Sequence, residues 1–157
     1  MSEVKYSVHG RQAARFGAVQ ILFQHEVEPV EVSNHVSMFL SSSVSLLFEA
    51  GYHLIEIDAS YFKELVLATF SNQQDLDDRI KNVLSTSWKL ERLDPVARAI
   101  LRVAACELVH FPLTPIPVVI NEYVEIAKGF FEKPDVSFIH ASLDKISKNS
   151  MLKREVL

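Results

Sequence analysis

Apolar residues recur every three to four positions along most of the chain, which is the spacing of α-helices that bury one face. A β-strand would show alternating apolar and polar residues bounded by turn residues, and the sequence contains no such stretch. The first helix is predicted over about residues 11–25. It carries two apolar stripes, one at Ala14, Ala18, Ile21, Leu22 and His25 and the other at Phe16, Val19 and Phe23. Such a helix either lies between neighbouring helices or keeps one stripe for a partner, and burial is the favoured interpretation.

Three more helices follow in the first half of the chain. Ser33 is a candidate N-cap for a helix over about residues 33–50, and Gly51 is suited to end that helix. Asp58 can cap a third helix, because its carboxylate can accept bonds from the free amides of a first turn. A fourth helix is predicted over about residues 74–84.

Proline residues mark the helices of the second half. Asp94 followed by Pro95 predicts a helix start, since proline at the first helical position loses no needed donor, and this helix should run to about His110. Pro117 is placed to begin a sixth helix, and the break at residues 133–135 precedes a seventh. The pattern therefore predicts an all-α protein of about seven helices, forming a single domain over residues 1–157.

Composition fits a packed cytoplasmic protein. The chain is 48% hydrophobic with only four glycines and six prolines, unlike a disordered chain. Its single cysteine, Cys106, excludes an internal disulfide and is expected to be a small buried side chain. The polar N-terminal residues 1–11 do not resemble a signal peptide, and no apolar run approaches the ~18 residues that cross a bilayer. We therefore expect a cytoplasmic location and no membrane contact.

The net charge of −4 argues against a protein that coats nucleic acid through bulk electrostatics. Any RNA contact must be local. Residues 1–24 carry Lys5, Arg11 and Arg15 against Glu3 alone, which makes a small basic patch. Three scattered solvated charges are an equally good interpretation of the same pattern.

Catalytic motifs are sparse. Glu107 and His110 have the Glu-x-x-His spacing of di-metal helix bundles, but such a site needs a second copy and the sequence has none. Glu122 and Glu125 form a carboxylate pair, although Glu125 and Lys128 are spaced as an ordinary surface ion pair. No glycine-rich phosphate loop and no nucleophile motif is present. The sequence thus predicts no enzyme, no cofactor and no metal, and a metal-dependent bundle enzyme stays as a minor alternative.

Three segments together resemble the NusB family of transcription antitermination factors. They are residues 14–24 (ARFGAVQILFQ), residues 92–128 with Arg92–Leu108 followed by Ile116–Lys128, and residues 138–146 (FIHASLDKI). The Ile-Pro and Ile-Asn-Glu arrangement at residues 116–122 is the most specific of these matches. They occur in the family's order over nearly the whole chain, although residues 26–86 match only as a helical pattern.

The resemblance implies two packed three-helix sub-bundles, binding of single-stranded boxA RNA, and a complex with ribosomal protein S10 that joins the elongating RNA polymerase to support ribosomal RNA transcription. The protein would be a monomer or a weak homodimer. The positions that match the family's RNA-binding residues are Arg11, Arg15, Arg102, Asp135 and Phe138. Arginine can bond phosphate or stack on bases, and phenylalanine can stack on an unpaired base. Phe23 matches an aromatic position on the family's S10-facing side, and Val19 and Phe16 share its stripe.

The chain departs from the family pattern at three places. Residues 11–15 hold fewer arginines than usual, which predicts a smaller electrostatic share of RNA affinity. Ala97 replaces an acidic S10 contact, and His140-Ala141 replaces Asn-Gly. These changes keep two alternatives open: a protein-interaction module, and an accessory module for an RNA methyltransferase, each with this fold and without independent RNA binding.

Overall fold

A computed structural model describes residues 2–29, 31–49 and 57–156, with side chains described for residues 10–29, 31–41 and 57–149. Within these ranges the protein has seven α-helices and no β-strand, so the all-α prediction is confirmed. A 3₁₀ turn over Leu90–Arg92 precedes the fifth helix. The helices are α1 (Ser2–Val27), α2 (Val32–Glu49), α3 (Ala59–Ser71), α4 (Gln73–Val83), α5 (Pro95–His110), α6 (Ile116–Lys128) and α7 (Lys133–Val156).

Two predicted helix caps are confirmed. The Asp58 carboxylate accepts a hydrogen bond from the Tyr61 amide at 3.0 Å, at the start of α3. The Asp94 carboxylate accepts one from the Val96 amide at 2.8 Å, with Pro95 in the first position of α5. Each aspartate therefore satisfies a first-turn donor that has no partner within its helix.

Other helix ends differ from the prediction. α1 begins at Ser2, well before residue 11, because a mostly polar segment without proline can continue a helix; its two valines, Val4 and Val8, are too few to mark that helix by apolar spacing. Ser33 does not cap α2, since the Glu31 carbonyl already accepts the amides of Asn34 and His35 at 2.9 and 3.3 Å. In α6 and α7 the prolines lie inside the first turn, while Gly51 lies outside the described residues.

The chain divides into two compact units, Met1–Leu67 and Ala68–Leu157. The first holds α1, α2 and most of α3, which agrees with a three-helix sub-bundle. The second holds α4, α5, α6 and α7, one complete helix more than the resemblance implies for each sub-bundle. In this unit α5 contacts α4, α6 and α7, and eleven of its residues are buried. Helix α5 is therefore the centre of the second unit.

Gly17 sets the close approach of the helices in the first unit. A Cβ atom at this position would lie 2.6 Å from the Phe39 ring and 3.1 Å from the Phe62 ring. Those two rings pack together with centroids 4.9 Å apart, and Phe62 is fully buried. The absence of a side chain at Gly17 thus leaves the space that the aromatic pair occupies.

Candidate RNA and partner surfaces

Arg11 lies on α1 next to the start of α3. Its guanidinium carbon is 4.7 Å from the centre of the Tyr61 ring, and its Nε is 3.9 Å from an Asp58 carboxylate oxygen. The Asp58 amide also donates to the Gly10 carbonyl at 3.1 Å, which ties the two helices at this point. Because 45% of the Arg11 side chain is exposed and the ion pair is long, its charge can reach a phosphate in solvent.

Arg15 lies one helical turn further along α1 and is only 3% exposed. Its guanidinium carbon is 5.6 Å from the centre of the same Tyr61 ring. The side chain is thus barely exposed to solvent, and its role at an RNA surface stays a prediction. Tyr61 is buried and its ring lies near both arginines, so it packs against them from inside the chain; the sequence reasoning missed this contact. Tyr61 lies three residues after the predicted cap Asp58, so the sequence could have indicated that it belongs to the first turn of α3.

The predicted partner stripe of α1 is only partly on the surface. Phe23 is 37% exposed and Phe16 is half-buried, whereas Val19 is 1% exposed. Val19 therefore packs inside the chain, and its assignment to the partner face stays a prediction. Phe23 lines a groove of about 640 Å³ between α1 and α2, whose other lining residues are Gln20, Gln24, Val27, Glu28, Met38, Phe39 and Ser41.

Arg102 joins two helices of the second unit. Its Nε donates to one Asp77 carboxylate oxygen at 2.8 Å and its Nη2 donates to the other at 3.0 Å. The two side chains are 13% and 18% exposed. This bidentate pair links α5 to α4, and it neutralises an arginine that the resemblance places at the RNA surface.

Phe138 forms an aromatic pair with Trp88, which the sequence reasoning missed. Their ring centroids are 5.5 Å apart and their planes are inclined by 37°. Phe138 is half-buried on α7, and Trp88 is 55% exposed in the loop after α4. Asp135 is exposed in the first turn of α7. The sequence offered one indication of a functional role for Trp88: it is the single tryptophan of the chain and its immediate neighbours are polar.

Arg98 fixes the segment that follows Trp88. Its Nη1 donates to the carbonyls of Leu90 at 3.0 Å, Glu91 at 3.3 Å and Leu93 at 2.9 Å. Burial, together with the positive charge of Arg102, lowers the pKa of the Arg98 guanidinium, which nevertheless stays charged at neutral pH. Arg98 therefore acts as an internal donor to the 3₁₀ turn.

The residues of the minor catalytic alternative do not converge. Glu107 is fully buried and accepts a hydrogen bond from the Tyr123 hydroxyl at 2.7 Å, while His110 is exposed. Glu125 and Lys128 form the predicted surface pair at 2.8 Å. No three histidine, cysteine, aspartate or glutamate side chains group together as metal ligands in the part of the chain that the structure describes. None of the described helices is long and apolar enough to cross a membrane.

Comparison with known proteins gives consistent matches. The NusB family model matches residues 12–148. The transcription antitermination protein NusB of Caulobacter vibrioides is 41% identical over 143 residues, covering 91% of this chain and 95% of that protein. The NusB of Sphingopyxis alaskensis is 33% identical over 139 residues, covering 88% and 93%.

Solved structures agree on the fold. T. maritima NusB matches with a TM-score of 0.77 at 26% identity, covering 94% of this chain and 97% of that one. A crystal structure of antitermination factors NusB and NusE with double-stranded RNA matches with a TM-score of 0.72 at 21% identity, covering 89% and 97%. The helices and surfaces described above define an all-α protein with the architecture of these structures. The family match and the identity to curated relatives then settle its membership: the chain belongs to the NusB family.

Proposed function

We propose that this protein is a transcription antitermination factor that binds single-stranded boxA-like RNA together with ribosomal protein S10. In this role it joins the elongating RNA polymerase and supports ribosomal RNA transcription, as a cytoplasmic scaffold and not as an enzyme. The observation that carries the proposal is the 41% identity, over 91% of the chain, to a protein named for transcription antitermination. Support for an RNA and S10 as partners comes from the related structure of NusB and NusE, which is S10, with double-stranded RNA. Its state as a monomer or weak homodimer stays a prediction.

The RNA surface that we propose differs from the sequence prediction in the roles of its residues. Arg11 contacts phosphate and Phe138 stacks on a base, because both side chains reach solvent. Arg15 acts through Tyr61, and Arg102 acts by holding α5 to α4. Asp135, an exposed hydrogen-bond acceptor in the first turn of α7, pairs with a base amino group instead of a phosphate.

The S10 surface that we propose is the exposed part of the second stripe of α1. Phe23 is its centre, because its ring is partly exposed beside a groove that Val27 and Met38 also line. Val27 is 67% and Met38 64% exposed, so a partner that covers the groove would remove substantial apolar surface from water. Phe16, which is half-buried on the same stripe, also contributes to S10 binding, and Val19 supports the stripe from inside.

Arg11→Gln tests the RNA surface. The variant removes one charge next to Asp58 without adding repulsion, and we expect RNA affinity with S10 present to fall about tenfold at low salt. The slope of log affinity against log salt should become shallower by roughly 0.7, the value for one phosphate contact on a single strand. Anisotropy of a labelled boxA-like RNA measures both quantities.

Lys128→Gln is the matched control, because Lys128 is an exposed cation with one acidic neighbour, Glu125, at 2.8 Å. It should bind RNA like the wild type. Equal losses in the two variants would mean that only net charge matters, and they would contradict a specific contact at Arg11.

A protein-interaction module or an RNA-methyltransferase accessory module is the second candidate function. It is favoured by the net charge of −4 and by the low exposure of Arg15 and Arg102, two of the three arginines that the resemblance assigns to RNA. Under this hypothesis S10 or another protein binds while RNA adds nothing to the complex.

A further inference from the structure

We propose that Trp88 and Phe138 together form a stacking platform for one unpaired base of the bound RNA. The proposal rests on the RNA-binding function proposed above, and it adds Trp88 as a ligand-contacting residue. Tryptophan side chains are usually well buried, yet 55% of this one is exposed. Its ring pairs with Phe138 at a centroid distance of 5.5 Å, which leaves a large part of the indole to be covered by a flat ligand.

The loop holds Trp88 in a defined position. The Trp88 amide donates to the Ser85 carbonyl at 2.9 Å, which closes a turn just before the ring. Immediately after it, Arg98 donates to the carbonyls of Leu90 and Leu93 at 3.0 and 2.9 Å. Because the backbone is bonded on both sides of Trp88, a base that stacks there pays little additional entropy to order the loop.

The local charge favours RNA over an apolar peptide as the ligand. Residues 81–92 carry three basic residues against one acidic residue, although the whole chain is acidic. Lys89 and Arg92 are exposed in the same segment as Trp88, and the one acidic residue, Glu91, lies 3.8 Å from Lys81. An exposed aromatic ring flanked by cations is the combination by which proteins bind single-stranded nucleic acid.

Intrinsic fluorescence tests this assignment directly, because Trp88 is the only tryptophan of the chain. An unlabelled single-stranded boxA-like RNA is titrated into the wild-type protein with S10 at fixed concentration. The same titration with Trp88→Phe supplies the signal that does not come from this residue. We expect the wild-type signal, after subtraction of the Trp88→Phe signal, to decrease as RNA is added, because a stacked base quenches indole emission. The midpoint of this quenching should equal the midpoint of binding measured by anisotropy of labelled RNA.

Variants test the energy of the contact. Trp88→Ala should weaken RNA binding between about 5-fold and 160-fold, the range for one base–aromatic stack, while Trp88→Phe should retain most of the affinity. Phe130→Ala is the matched control, because Phe130 is also an exposed aromatic residue paired with a second ring, Phe131, at 6.4 Å. It should bind RNA like the wild type. Circular dichroism and the melting temperature show that each variant is folded.

The outcomes separate this proposal from the function on which it rests. If wild-type protein binds RNA but shows no Trp88 quenching and Trp88→Ala binds equally well, the platform is wrong and the RNA-binding function stands. If Trp88→Ala instead weakens S10 binding in the absence of RNA, the ring contacts protein and the proposal is overturned. If the wild type binds no RNA with or without S10, both proposals fail.

Discussion

The ion pair between Arg102 and Asp77 yields a prediction that separates a structural role for Arg102 from direct contact with RNA. Arg102→Met keeps most of the aliphatic stem and removes the charge, while Asp77→Ala removes the carboxylate. Either change leaves the other charge without a bidentate partner that lies at 2.8 and 3.0 Å. The double variant removes both charges, so the three variants form a double-mutant cycle.

The magnitude follows from the exposure of the two side chains, 13% and 18%. Exposed ion pairs contribute about 0–1 kcal/mol, and removal of one partner from a fully buried pair costs about 3–5 kcal/mol. The Arg102–Asp77 pair lies between these limits, so each single substitution should lower the free energy of unfolding by about 2 kcal/mol. The coupling energy between the two positions should be about 1–2 kcal/mol, since the double variant leaves no unpaired charge.

Urea unfolding followed by circular dichroism and by Trp88 fluorescence measures these free energies, and Trp88 belongs to the same unit as the ion pair. The pair formed by Asp75 and Arg79 within α4 is a matched control: its distance is also 2.8 Å, but Asp75 is 56% exposed. Its coupling should be only about 0.3–0.5 kcal/mol. The structural role of Arg102 would be refuted if the Arg102–Asp77 and Asp75–Arg79 pairs had equal coupling energies and Arg102→Met lost much of its RNA affinity. That result would instead indicate that Arg102 contacts RNA directly.

Three further predictions concern the partner face, helix packing and pH. Phe23→Ala should weaken S10 binding about tenfold and lower the free energy of unfolding by less than about 1 kcal/mol. Phe62→Ala, at a fully buried position, should lower it by about 3–5 kcal/mol. Equal losses for the two variants in urea unfolding would place Phe23 in the core. Gly17→Ala should lower the melting temperature, because the added Cβ atom would lie 2.6 Å from the Phe39 ring. The cost of this overpacking, about 1–3 kcal/mol, exceeds the gain in helix propensity. A higher melting temperature would contradict the packing described for Gly17. Burial raises the pKa of the Cys106 thiol from 9.0 to about 11. Between these pH values the folded protein keeps a proton that the unfolded chain releases. The free energy of unfolding should therefore fall between about pH 9 and 11, by up to about 1.4 kcal/mol per pH unit. Cys106→Ala should show a flatter decline there, and identical slopes would contradict this account.

The sequence predicted those parts of the fold that depend on neighbouring residues. Apolar spacing indicated the helices, and Asp58 and Asp94 marked two helix starts, because capping involves only the next few residues. The beginning of α1 was missed for the opposite reason: residues 2–10 are mostly polar and give only a weak periodic signal, although their backbone is helical.

The candidate site could be predicted less well, because exposure depends on tertiary packing. Two stripes on α1 were each compatible with burial, and spacing alone could not show that Val19 is buried while Phe23 is exposed. Arg102 and Asp77 are separated by 25 residues, and Trp88 and Phe138 lie even further apart in the sequence. No local pattern reports contacts at such separations, so the resemblance could transfer the positions of arginines but not their partners.

Binding of a labelled boxA-like RNA to the purified protein, with and without S10 and across a salt series, tests the central claim most directly. The account predicts affinity that increases when S10 is present and decreases with salt. The slope should be shallow, since Arg11 is the most exposed of the three arginines predicted at the RNA surface. Binding of S10 with no RNA in either condition would contradict it and would make the chain a protein-interaction module on the NusB fold.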